Sequence, residues 1–191
     1  MLADWTAVLL LFSACALMVA RLDRLASRQV EGTAAIVDGD TLRLAGARIR
    51  LRGIDAFERG QTCRHAGADG YDCGAEAAAA LARLVGGRAV ACEGRGRDRY
   101  GRLLAVCTAG GRDLNAAMVS AGWAVAYGAY DLEERRARAA GAGAWAGTFE
   151  RPADWRGTHG GRVESPHDIL RRLAALATSL LWAQDEGGKT E

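Results

Sequence analysis

Two turn dipeptides, Asp38-Gly39 and Ala45-Gly46, cut the stretch from Glu31 to Ile54 into three short segments, Glu31–Val37, Asp40–Leu44 and Arg48–Ile54. Segments of five to seven residues with alternating apolar positions are too short for stable helices. Tight turns between them fold the chain back on itself, so the domain opens as a β-meander. Two more strand-like segments follow, Arg88–Cys92 and Leu103–Thr108, separated by a polar glycine-arginine loop and closed by an Ala109-Gly110-Gly111 turn.

Helices are expected between and after these strands. Gly74–Val85 is rich in helix formers, carries Leu81, Leu84 and Val85 on one side, and stops at Gly86-Gly87. Asp113–Ala121 reads as a second helix with Asp113 as N-cap, and Asp131–Ala140 as a third, with a short apolar strand at Trp123–Tyr127 between them. The class is therefore α+β: a five-stranded β-barrel of the oligonucleotide-binding (OB) type carrying about three helices. The polar stretch between Cys63 and Cys73 is read as a loop.

Four of the five cysteines fall in two sequence-close pairs, Cys63 with Cys73 and Cys92 with Cys107, while Cys15 lies in an apolar run. Even pairing favours disulfides and an oxidising compartment. The rival is a zinc site, disfavoured because Cys-x-x-Cys and His-x-x-x-His spacings are absent.

Residues 5–20, WTAVLLLFSACALMVA, form an uncharged run of sixteen, followed by Arg21, Arg24 and Arg28. Residues 1–28 are read as a membrane anchor or an uncleaved signal, slightly short of the roughly 20 residues that span a bilayer. The arginines after the run favour a cytoplasmic domain by the positive-inside rule, whereas the cysteines favour export. Export is preferred because long domains cross largely regardless of flanking charge. Residues 29–160 then form the folded domain. Residues 161–191 form a tail whose Ile169, Leu170, Leu173, Leu176, Leu180 and Leu181 mark an amphipathic helix.

A formal net charge of +2 excludes a protein that holds duplex DNA by bulk electrostatics, so any nucleic-acid role must come from a local site. The densest local cluster is VDGDTLRL (37–44) followed by RIRLRGIDAFE (48–58). It sets Asp38, Asp40, Asp55 and Glu58 at strand ends, where carboxylates can converge on a hard cation. Asp-Gly-Asp is also an ordinary turn, and only the combination with arginines lifts it above that reading. Arg50 and Arg52, two apart, are expected on one face of a strand, and Arg102 opens another strand after Tyr100-Gly101. Arginine suits a bidentate grip on phosphate.

VDGDTLRL, RLRGIDAFE, DRYGRLLA, DLNAAMVSAGWAVAY and GAWAGTFERPADW occur in the order seen in the staphylococcal-nuclease-like (thermonuclease) family, which residues 31–157 resemble. The resemblance implies a Ca²⁺ ion held by Asp40, Asp55 and the backbone carbonyl of Ala56. It implies that Arg50 and Arg102 hold the scissile phosphate and that Glu58 is the candidate general base. Tyr100 and Tyr127 would line the nucleotide pocket, although Tyr127 suits the core equally well. The implied activity is an endonuclease cutting DNA and RNA, single strands preferred, to 3′-phosphate ends, in a monomer tethered to or secreted into the cell envelope. The family usually has proline at the position of Phe57, and losing that restraint predicts a more mobile Glu58 loop and lower activity. The rival function is an OB-type module that binds nucleic acid or protein without cutting.

Overall fold

The computed structural model describes residue 8 and residues 11–18, 27–65 and 69–159. The chain divides into two compact units, residues 1–152 and 153–191. The amphipathic helix expected within 161–191 lies outside the described residues.

Six strands make the path β1 (Arg28–Gly32), β8 (Val90–Arg97), β9 (Leu103–Ala109), β4 (Ala47–Leu51), β3 (Thr41–Leu44) and β2 (Ala34–Ile36), and β10 (Arg112–Asp113) pairs onto β9. Only Thr33 separates β1 from β2, and Gly32 before it has φ +149°. One bent strand thus pairs with β8 at its first half and with β3 at its second, which closes the ring. Counted this way the barrel has five strands, with β4 and β9 its one parallel contact, the arrangement of an OB-type barrel. The extra strands come from the bend and from the short β10 hairpin, neither of which leaves a periodic signal.

Alternation fills the barrel. Leu42, Leu44, Ile49, Leu51, Val90, Leu103 and Ala105 are buried, while neighbours such as Arg43, Arg48 and Ala91 are exposed; Thr41, buried beside Leu42, belongs to the site. Each large apolar side chain so buried contributes about 1.5–3 kcal/mol. Helix α1 (Cys73–Val85) is capped by the Asp72 carboxylate, which accepts from the Ala75 N–H at 2.8 Å, and ends at Gly86 in the left-handed region. Helix α2 (Leu114–Ser120) has the expected Asp113 cap, accepting from the Ala116 N–H at 3.0 Å. Helix α3 spans Asp131–Ala140, and α4, which has no counterpart in the sequence expectations, spans Pro152–Thr158.

Two small sheets complete the first unit. Strand β5 (Ile54–Ala56) pairs with β11 (Ala124–Ala126). The stretch read as a loop contains β6 (Thr62–His65) and β7 (Gly70–Asp72), with β12 (Gly147–Thr148) alongside β6.

Both cysteine pairs are disulfides, Cys63–Cys73 and Cys92–Cys107, so the zinc alternative falls. Cys92 and Cys107 are direct partners across β8 and β9.

In the N-terminal run, residues 11–18 are helical, with Leu11, Phe12, Leu17 and Met18 exposed by 65–70%. Among the described residues no helix is long and apolar enough to cross a membrane.

Candidate active site

Three backbone features bring the site together. Asp40 sits where the Asp38–Asp40 turn enters β3, and its N–H donates to the Asp38 Oδ1 at 3.1 Å. Gly39 in that turn lies so close to the helix that a Cβ there would stand 2.7 Å from Ala56 Cβ and 2.8 Å from Ala77 Cβ. Any side chain would push the turn away from both β5 and α1. Strand β5 then presents Asp55, which is held in place by its register partner Val125.

The carboxylates meet at Arg50 on β4. One guanidinium nitrogen donates to Asp40 Oδ1 at 2.8 Å and the other to Asp55 Oδ1 at 2.9 Å. Asp40 also accepts from the Thr41 hydroxyl at 3.1 Å and, through Oδ2, from the Ala56 N–H at 3.2 Å. Asp40 and Asp55 are both buried. Burial pushes the Asp40 carboxyl up to about 7, against the pull of Arg50; Asp38 and Asp55 push it further, and the Ala56 N–H pulls it down.

Arg102, at the start of β9, joins the same network. It donates to the Thr41 hydroxyl at 3.1 Å, and its Nε donates to Asp98 Oδ2 at 2.7 Å. Asp98 Oδ1 also accepts from the N–H groups of Tyr100 and Arg102, at 2.9 and 3.0 Å, so one aspartate folds the turn and aims the guanidinium. The Tyr100 ring lies 5.3 Å from the Arg102 guanidinium and is 58% exposed. Tyr127 is 50% exposed, which removes the core reading for it; its N–H donates to the Gly53 carbonyl at 2.9 Å. Arg52 is not part of the hydrogen-bonded network around Asp40 described above. Strand β4 ends at Leu51, and Arg52 lies exposed beyond it.

Glu58 stands two residues past β5 in a tightly held loop. Its N–H donates to the Gln61 Oε1 at 3.0 Å and its carbonyl accepts from the Gln61 N–H at 2.9 Å. Gln61 is fully buried, and its Nε2 donates to the Glu150 carbonyl at 2.7 Å. A Cβ at Gly74 would stand 1.9 Å from the Glu58 carbonyl oxygen, so α1 abuts this loop directly. Phe57, which stands where the family usually has proline, is itself packed. Its side chain is 2% exposed and meets Phe149 edge-on at 5.0 Å, so packing supplies the restraint that proline would have supplied.

Sequence reasoning missed Thr41, Asp98 and Gln61. Asp98 left a signal in its i,i+4 spacing to Arg102; the other two act through contacts between distant segments.

The oxygen donors Asp40, Asp55 and the Ala56 carbonyl fit a hard divalent cation by their chemistry, two buried carboxylates that share Arg50 and a neighbouring carbonyl. Among the described residues, no three His, Cys, Asp or Glu side chains group together as a metal site, so a carbonyl or water oxygens must complete the set.

Residues 48–146 match the family model described as staphylococcal nuclease homologue. The chain is 39% identical over 127 residues to the succinoglycan biosynthesis protein ExoI of Rhizobium meliloti, covering 63% of this chain and 66% of that one. It is 34% identical over 116 residues to a probable staphylococcal-like nuclease, CAN2, of Oryza sativa, covering 57% and 29%. It is 32% identical over 133 residues to an uncharacterized endonuclease of Haemophilus influenzae, covering 63% and 69%. The chain thus spans just under two thirds of the Rhizobium protein and under a third of the rice one.

Proposed function

The chain belongs to the staphylococcal nuclease homologue family, and we propose from that premise that it is a Ca²⁺-dependent endonuclease. The reaction proposed is hydrolysis of phosphodiester bonds in DNA and RNA, single strands preferred, leaving 3′-phosphate ends. One observation carries the reading: Arg50 links the buried Asp40 and Asp55, and Thr41 links that cluster to Arg102. Paired carboxylates and paired arginines on one hydrogen-bonded network are what attack on an anionic diester needs.

Asp40, Asp55 and the Ala56 carbonyl would hold the cation, which when bound offsets negative charge on the phosphoryl oxygens. Arg50 and Arg102 grip those oxygens and stabilise the extra charge of the pentacovalent transition state. Asp98 and Thr41 hold Arg102 in one orientation, so little freedom is lost when phosphate arrives. Glu58 orients the attacking water and takes its proton, from a loop that Phe57 and Gln61 keep in place. Tyr100 and Tyr127, both exposed, offer ring faces to the nucleotide. The two disulfides and the N-terminal apolar run support a domain held at or released from the cell envelope.

Release of acid-soluble nucleotides from single-stranded DNA tests this. The full chain should cut with Ca²⁺ and not with EDTA, and both Glu58→Gln and Arg102→Ala should lose at least about a hundredfold in rate. A folded, disulfide-intact protein that binds the strand and does not cut would establish the binding-module alternative instead.

A further inference from the structure

A second basic site lies on the far part of α1 from the Asp72 cap. A cleft of about 350 Å³ is lined by Arg83 and Leu84 near the end of α1, Arg88 before β8, Arg112 on β10 and Trp123 before β11. None of these residues belongs to the Asp40–Arg50–Arg102 network. Four separate segments converge on it, so it is a product of the tertiary fold.

Three arginines line this cleft, and no acidic residue does. Among the described residues no salt bridge involves Arg83, Arg88 or Arg112. Asp113, next to Arg112, is turned elsewhere: its carboxylate accepts from the Ala116 N–H at 3.0 Å and from the Tyr130 hydroxyl at 3.3 Å. Arg88 is pre-positioned. Its guanidinium donates to the Leu84 carbonyl at 2.5 Å, and its stem crosses Gly110, where a Cβ would stand 3.1 Å from its Cδ. The ordinary role for cations here is to offset the C-terminal end of α1. That end carries only about half an elementary charge, and Arg112 is not on the helix, so charge remains over.

Trp123 supplies the second half of the recognition. Its ring meets Tyr71 edge-on at 6.5 Å, which holds it against the core while it lines the cleft. Guanidiniums for phosphate beside an indole for a base are the two elements by which proteins hold single-stranded nucleic acid without reading its sequence. The placement relative to the candidate active site fits a strand as well. Gly39, in the Asp38–Asp40 turn, packs on Ala77, and Leu84 in the cleft is seven residues further along the same helix, about 10 Å of rise.

We propose that the Arg83–Arg88–Arg112–Trp123 cleft is an exosite for single-stranded nucleic acid, binding phosphates on the arginines and a base on Trp123. The inference rests on the nuclease reading for its role in substrate capture, and on the cleft alone for the binding itself.

The test separates the two. Binding of oligothymidylates of 2 and 16 nucleotides to the full-length chain is measured in EDTA, so that nothing is cut, across a salt series. Wild type should bind the 16-mer and quench tryptophan fluorescence, and bind the 2-mer weakly. Arg83→Gln/Arg112→Gln should weaken 16-mer binding at least about tenfold and lower the log–log salt slope by about 1.4, at about 0.7 for each phosphate no longer neutralised. With Ca²⁺, the same variant should raise KM on long single strands and leave dinucleotide cleavage within about twofold. An unchanged slope and affinity would overturn the exosite, whatever the protein's activity. Binding to anionic phosphatidylglycerol vesicles with no dependence on oligonucleotide length would overturn it too. Length- and arginine-dependent binding in a protein that never cuts would support the exosite and refute the nuclease.

Discussion

Gln61 shows how a single residue governs the loop of the proposed base. It is buried, polar and uncharged, and it holds both the N–H and the carbonyl of Glu58 while reaching the Glu150 carbonyl. Gln61→Ala removes the two side-chain hydrogen bonds to the Glu58 N–H and the Glu150 carbonyl, each worth about 0.5–1.5 kcal/mol. Urea unfolding should show a loss in that range, and kcat should fall with KM little changed, because Glu58 loses its position and the arginines keep theirs. A variant that lost stability but kept kcat would make Gln61 purely structural. The neighbouring Phe57 gives the opposite lesson about transferring family patterns. Restoring the family's proline with Phe57→Pro removes a wholly buried ring from its edge-on contact with Phe149. The expected cost is about 3–5 kcal/mol in denaturant unfolding, with no gain in activity.

Among the elements, α3 and β11 buttress the site from behind. Glu134 on α3 accepts from the Ala126 N–H of β11 at 2.5 Å, from Arg138 at 2.5 Å and from Arg151 at 3.3 Å. Since β11 pairs Val125 with Asp55, this carboxylate steadies the strand that carries a proposed metal ligand. Burial raises the Glu134 pKa, but the Ala126 N–H, Arg151 and Arg138 outweigh it, and the net shift is below 4.5. A depressed folded-state pKa means the native state binds this proton less well than the unfolded chain. The stabilisation is therefore present above about pH 4.5 and is lost as the pH falls below it. The stability gap between wild type and Glu134→Gln should be full at pH 6 and narrow towards pH 3 in urea melts; a gap independent of pH would refute the assignment. None of this was visible in the sequence. The helix itself was, at both ends, because Asp131 and Gly141 punctuate an alanine-rich, charged run. Its partner strand of three residues was placed only roughly, and β6, β7 and β12 were missed altogether. Strands of two to four residues in a polar stretch carry no periodicity and exist through pairing and the Cys63–Cys73 bridge. The same reasoning explains the site. Asp40, Arg50, Asp55 and Arg102 stand out as charges at strand ends, whereas Thr41 and Gln61 matter only through partners far along the chain.

At the scale of the whole molecule, the two bridges and the proposed cation are the external terms on stability. The bridges close separations of 10 and 15 residues, each worth about 3 kcal/mol if chain entropy dominates. Replacing Cys92 and Cys107 by alanine should cost stability alone. Replacing Cys63 and Cys73 should also lower kcat, because the bridge ties β6, which starts next to Gln61, to the start of α1, whose Cys73 N–H holds the Gln61 carbonyl at 3.0 Å, and Gln61 holds Glu58. The cation acts through linkage. A ligand that binds only the native state at a hundred times its Kd stabilises by about 2.7 kcal/mol. Ca²⁺ should therefore raise the thermal midpoint of the full chain in a concentration-dependent way that EDTA reverses. Asp40→Asn should abolish that dependence, whatever it does to stability in EDTA, because it removes one of the two buried carboxylates proposed to hold the cation. A midpoint indifferent to Ca²⁺ in wild type would mean that Arg50 already satisfies the two aspartates. The chemistry would then have to proceed without the cation that the family resemblance implies.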